Sequence, residues 1–280
     1  MSVDPLQRFR DAVAPERVCF NLAEAALLCA QDAYPDLDVR STLTDIERMG
    51  ITLAQRLPSD FPATHRLLAL NNYLFRELGF AGNQDEYYDP RNSFLNDVLA
   101  RKTGIPITLS ILYLEIGQQL GLKLKGVLFP GHFLVKLRVN GGELVLDPFA
   151  GGKLLSEEDL RQRLAQFAGE AAAKTLPLQD FLEPATPRQI LARLLRNLKG
   201  IHLEAGDLDR ALCVMHRLVI LLPDVPEERR DRGRVYARLE CPRAAVDDLG
   251  HYAAARPAAE DATQVAADLA AVTIQAARLN

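Results

Sequence analysis

The chain has 280 residues, 48% of them hydrophobic and 25% charged, with a net charge of -4. That length allows one large or two ordinary domains with a real core, and a charge so near neutral gives no reason to expect nucleic acid as a partner. The four cysteines, Cys19, Cys29, Cys213 and Cys241, form no C-x-x-C pair, so neither a disulfide framework nor a cysteine-rich metal site is expected and a reducing, cytoplasmic setting is.

The opening segment, MSVDPLQRFRDAVAPERV, has no apolar stretch of the signal-peptide kind. No apolar run approaches the ~18 residues of a membrane span, so no membrane association is expected. Residues 1–80 read as helical. NLAEAALLCAQDAYPDLD places Leu22, Ala25, Ala26 and Cys29 near a 3.6-residue period, and Pro35 closes it. STLTDIERMGITLAQRLP offers Ser41 or Thr42 as N-cap. ATHRLLALNNYLFRELGF carries Leu67, Leu70, Leu74 and Leu78 on one stripe, ended by Gly79. AGNQDEYYDPRNSF is rich in turn formers and reads as a loop.

A short helix is expected from Asn92 or Ser93. IPITLSILYLEIGQQLG follows, apolar nearly all round, which predicts a helix buried at the centre of a domain. Pro106 sits in its first turn, where a missing N–H costs nothing, and Gly121 is its stop. Glu115 lies inside this apolar helix and calls for a partner, for which Arg101, Lys102 and Tyr113 are the neighbours on offer.

The period then switches to two. Phe133, Val135, Leu137 and Val139 alternate with His132, Leu134, Lys136 and Arg138, and Asn140-Gly141 is a two-residue hairpin turn. Val139 then faces Gly142 and Leu134 faces Asp147. His132 and Asp147 become diagonal neighbours on one sheet face, close enough for their side chains to meet. A slip of one residue would separate them. Residues 155–180 suggest another helix, begun by a Ser156-x-x-Asp159 capping box. Pro184 and Pro187 mark a boundary, dividing the chain into residues 1–184 and 185–280.

The last third contains a repeat. Ala211 and Ala245 are 34 residues apart, as are Pro223 and Pro257, and that is the tetratricopeptide period. Gly233 and Tyr236 take the small and aromatic positions of one unit, and His202 the tyrosine-like position of the other. His202 is read as a core or groove residue. Cys213 stands three before His216 and is read as buried core. No metal and no other cofactor is expected.

A strand His paired with an acid usually serves a nucleophile at a helix start, but none of the cysteines lies between residues 30 and 212. The stretch from Asn92 to Gly152 resembles the transglutaminase-like superfamily, which is related in architecture to papain-type cysteine proteases. More narrowly, YYDPRNSFLN, GIPITLS, FPGHFLVKL and LDPFAGG look like the SirB family, bacterial proteins that join a transglutaminase-like domain to tetratricopeptide repeats. The resemblance covers most of the chain. It implies an α+β fold: a papain-like core with a small antiparallel sheet and a buried central helix, a helical N-terminal region, and C-terminal helical repeats.

Carried over residue by residue, the superfamily's G-x-C at the helix start falls on Gly104-Ile105-Pro106, its base on His132 and its acid on Asp147. Pro106 therefore stands where the thiol would be, and it has no nucleophile to offer. Two hydroxyls are substitutes by position: Thr108, two residues on, and Ser110, one turn deeper. The plainer expectation for both is a bond to a backbone carbonyl one turn back. Tyr87, Tyr88 and Asp89 either line a cleft beside His132 or pin their loop.

Two functional readings follow. One is a non-enzymatic interaction or regulatory protein, a pseudoenzyme core joined to repeats that bind a protein or peptide partner. The other is a hydrolase or acyl transferase in which His132 and Asp147 act with Ser110, Thr108 or water.

Overall fold

The computed structural model describes residues 4–14 and 20–278. They fall into two compact units, one spanning Val18–Leu194, the other taking the segment before it together with Leu195 onward. In chain order the helices and strands are α1 (Pro5–Ala12), α2 (Leu22–Ala30), α3 (Val39–Ala54), α4 (Ala63–Asn71), β1 (Ala81–Gly82), α5 (Leu95–Arg101), β2 (Thr103–Gly104), α6 (Pro106–Gln119), β3 (Leu124–Val127), β4 (Leu134–Val139), β5 (Gly142–Asp147), β6 (Lys153–Leu155), α7 (Glu157–Ala168), α8 (Glu170–Thr175), α9 (Pro187–Glu204), α10 (Leu208–Leu221), α11 (Pro226–Arg238), α12 (Pro242–Ala255) and α13 (Ala262–Ala277).

The centre of the first unit is α6. Its apolar sequence leaves no polar face, and Pro106 through Tyr113, Ile116 and Gly117 are all buried. Around it lie α2, α3, α4 and α5 on one side and β3 and β4 on the other. Gly117 lets β3 approach, since a Cβ there would meet the Leu124 side chain. Helix α3 begins three residues before Ser41, with Asp38 accepting from the Ser41 N–H as N-cap. Helix α5 begins at Leu95, after Phe94, because Pro90–Asn92 form a separate 3-10 turn capped by Asp89. Helix α4 runs on through a π-helical turn, Asn72–Glu77, before Gly79 at φ +74° ends it.

The sheet is an antiparallel meander, β3-β4-β5-β6. Val139 pairs with Gly142 and Val135 with Leu146, the register that the Asn140-Gly141 turn predicts. Because side chains alternate, Leu134, Val145 and Asp147 share a face. That face is covered by α7, whose Leu160 and Leu164 join Leu134, Val145, Phe129 and Leu155 in one buried cluster. The Ser156–Asp159 capping box starts α7, but Gly169 at φ +88° stops it, so residues 155–180 hold two helices and a 3-10 turn where one helix is predicted.

The second unit is helical. Two antiparallel pairs, α9–α10 and α11–α12, are followed by α13, and Pro223 and Pro257 fall just past α10 and α12, where a helix cannot continue. Gly233 seats α11 on α12, since its Cβ would lie 2.9 Å from Leu249 Cγ. Helix α1, from the start of the chain, packs on α10, with fully buried Arg217 stacked over Phe9 at 5.5 Å. Arg196 and Lys199 pair with Glu228, Arg230 with Asp231 and Asp261, and Arg234 with Asp268. His202 is buried, and burial holds its imidazole below the ordinary value.

Candidate functional site

His132 occupies the bend just before β4, one residue after Gly131. Gly131 has φ +69°, and a Cβ there would lie 3.2 Å from the ring of Phe167 on α7. Both features favour glycine. Asp147 ends β5 and caps the 3-10 turn Pro148–Ala150, its Oδ1 accepting from the Phe149 and Ala150 N–H groups at 3.0 and 3.3 Å. The same oxygen lies 2.9 Å from His132 Nε2. The other oxygen, Oδ2, accepts from Arg163 Nη2 at 2.7 Å.

Asp147 is 1% exposed. Burial by itself would raise its carboxyl, but the hydrogen bonds and charges of His132 and Arg163 outweigh that and hold it below the usual carboxylate value. A carboxylate only accepts, so Nε2 carries the imidazole proton. Nδ1 is then the basic nitrogen, and it makes no hydrogen bond with any described residue. Rings flank this histidine. Phe149 meets it edge-on at 6.0 Å, Tyr87 meets Phe149 at 6.2 Å, and Tyr88 meets Tyr87 at 5.3 Å. Gly82 makes room for Phe149, since a Cβ on Gly82 would sit 2.5 Å from that ring.

The three residues of the preceding loop therefore divide. Tyr87 and Tyr88 extend the ring array toward His132. Asp89 pins the loop instead: it caps Pro90–Asn92 and pairs with Arg91 at 2.7 Å and Arg101 at 3.4 Å. Pro106 is the first residue of α6 and is buried. Thr108 is fully committed, accepting from the Ile105 N–H at 3.1 Å and donating to the Asn92 carbonyl at 2.8 Å, with the Ile105 carbonyl at 3.2 Å. Ser110 departs from the predicted carbonyl bond: its hydroxyl is wholly buried and has no hydrogen-bond partner. Cys29 is buried within α2, its thiol donating to the Ala25 carbonyl at 3.2 Å, and Cys19 lies outside the described residues.

Glu115 also departs from expectation. Burial raises its carboxyl, and its hydrogen bond is with the backbone N–H of Ala23 at the start of α2. The partners the sequence offers are engaged elsewhere: Arg101 on Asp89, Lys102 over the Phe80 ring at 4.5 Å, and Tyr113 on Asn71 at 2.7 Å. Arg163 and Phe167 are the participants that sequence reasoning misses. They stand four apart on α7, hence on one face, and grip Asp147 and the Gly131 turn together. Among the described residues, no group of three or more His, Cys, Asp or Glu could hold a metal ion, and no helix is long and apolar enough to cross a membrane.

Residues 40–196 match the transglutaminase-like superfamily, and residues 198–270 match the tetratricopeptide repeat. The chain is 41% identical over 244 residues to a UPF0162 protein of Xylella fastidiosa, with 87% of each chain covered. It is 33% identical over 247 residues to a UPF0162 protein of Pseudomonas aeruginosa, covering 88% of each. Protein SirB1 of Salmonella typhimurium is 28% identical over 236 residues, covering 82% of this chain and 85% of that one.

Proposed function

Since the chain belongs to the UPF0162 family, with a transglutaminase-like core and a tetratricopeptide region, we propose that it is a non-enzymatic interaction protein, regulatory in role, whose core keeps a base and an acid without a nucleophile. One observation carries the reading. Pro106 fills the helix-start position that the resemblance gives to a thiol, and Thr108, the nearest hydroxyl along the helix, is held by the Ile105 N–H and the Asn92 carbonyl. Proline also removes one N–H that a helix start would otherwise turn toward a developing oxyanion.

The His132–Asp147–Arg163 cluster is, in this reading, a structural clamp. It ties the turn after β5, the turn before β4 and α7 to one carboxylate. Binding falls to the repeats, which supply protein-interaction capacity in the family sense. Their cations and anions are largely paired with one another, so a partner with a mixed or neutral surface suits them better than a strongly charged one.

The test is direct. The full-length chain is incubated with a glutamine peptide and a fluorescent primary amine, and separately with p-nitrophenyl acetate. No amine incorporation is expected, and ester hydrolysis is expected at the same rate as in His132→Ala. Turnover that disappears in His132→Ala would overturn the reading in favour of a hydrolase or acyl transferase. Equal capture of a partner by the whole chain and by residues 1–184 would remove the repeats from it.

A further inference from the structure

A second set of side chains, apart from His132, has no internal explanation. A groove of about 510 Å³ lies between α3 and α5, with Tyr73 at its side. Three polar side chains line it and make no hydrogen bond or ion pair with any described residue: Thr52, Asn96 and Lys102. The Asn96 Oδ1 is buried with no donor. Buried amides are otherwise satisfied almost without exception, so an orphan acceptor asks for a missing partner.

Lys102 is the more telling of the three. Its φ is +57°, a left-handed conformation at the end of α5 where glycine is the favoured residue. Its ammonium rests over the Phe80 ring at 4.5 Å, half-buried and without a carboxylate. Burial lowers its amine below the ordinary lysine value. The rim carries one exposed ion pair, Arg48 with Asp45 at 2.9 Å. That pair cancels itself, so Lys102 leaves the groove with a net positive charge. Met49, Leu99 and Tyr73 supply apolar wall.

The geometry points to a binding site in this groove for a small organic anion, a carboxylate or a phosphate ester, that also carries a hydrogen-bond donor. Lys102 takes the anionic end, Asn96 Oδ1 receives the donor, Thr52 completes the polar side, and an apolar body lies along Met49 and Leu99. The volume falls within the range of ordinary small-molecule sites, about 300–1,000 Å³. The assignment is independent of the reading of the His132 cluster.

The experiment is a titration of the full-length 15N-labelled protein with three probes: 4-hydroxybenzoate, phenyl phosphate and neutral 4-hydroxybenzamide. Saturable shifts of the Asn96 side-chain amide and the Thr52 resonance are expected with at least one anion, and not with the amide. Which anion binds more tightly separates a carboxylate site from a phosphate site. Lys102→Met is expected to weaken binding at least about 10-fold. Lys102→Gly separates binding from folding: it relieves the left-handed strain, so the melting temperature is expected to hold or rise while binding falls. Absence of saturable shifts from both anions up to about 10 mM, equal binding of the neutral probe, or unchanged affinity in Lys102→Met would each overturn the proposal.

Discussion

Replacing Asp147 with Asn keeps the shape of the side chain and removes its charge. The residue is 1% exposed and collects four hydrogen bonds, from His132, Arg163, Phe149 and Ala150. An amide carbonyl still accepts from the turn N–H groups, but the other end becomes a donor facing either His132 or Arg163. Stripping one partner from a buried ion pair costs about 3–5 kcal/mol. Arg163 keeps 28% of its side-chain exposure and His132 15%, so water recovers part of that loss, and about 2–3 kcal/mol is the expected cost. For a unit of this size that corresponds to a fall in melting temperature of about 5–10 °C. Arg163→Met should cost a similar amount, and the double variant less than the sum of the two, because the pair is lost only once. The pH dependence has a definite sign. The folded carboxyl titrates below its unfolded value, so its stabilisation is complete above about pH 4 and is lost as pH falls through the depressed folded value. The gap between wild type and Asp147→Asn should therefore close in strong acid. Urea titrations followed by circular dichroism at neutral pH and near pH 3 measure both quantities. A neutral-pH loss below about 0.5 kcal/mol, or a gap that persists unchanged in acid, would refute the view that this carboxylate clamps three segments of the fold.

Gly82→Ala forces a Cβ to 2.5 Å from the Phe149 ring; a cost of about 1–3 kcal/mol is expected, with a shift of the His132 ring resonances in NMR, since Phe149 is its edge-on neighbour. Glu228→Gln removes the acid that Arg196 and Lys199 share, 4% exposed at its side chain; the C-terminal unit is expected to lose about 2–3 kcal/mol, read by hydrogen exchange on α9 and α11. His202 is buried neutral with its imidazole held low by burial, so the unfolded chain takes up a proton that the folded one refuses. The stability of that unit should fall as pH drops below the unfolded histidine value, about 6.5, and His202→Leu should flatten the slope between pH 7 and pH 5 in the same exchange experiment.

How far the sequence discloses this molecule depends on the range over which each feature is determined. The pairing of Val139 with Gly142 follows from the two residues between them, and it carries His132 and Asp147 onto one face without further information. The burial of α6 follows from its own composition, and the start of α7 from four adjacent residues, Ser156 to Asp159. Helix starts were less legible where several capping residues crowd together: Asp38, Ser41 and Thr42 all qualify, and tertiary packing of Val39 selects the first. Gly169 is tolerable inside a helix at a cost of about 1 kcal/mol, so nothing local says that it ends α7. Partners set by packing were not legible at all. Glu115 invites a cation by its chemistry, yet it receives the exposed N–H of a helix start 92 residues upstream, because α2 lies against α6 and a helix start is itself a partial positive charge. Arg163 is the sharper case. The spacing of Leu160 and Leu164 shows which side of α7 faces inward, and Arg163 stands on that side where an apolar residue would be ordinary. A charge on the buried face of a short helix is a local inconsistency, and such inconsistencies mark either an error in the assigned face or an unseen buried counter-charge. Here the counter-charge is Asp147, the one acid that the hairpin register already places on the opposing sheet face.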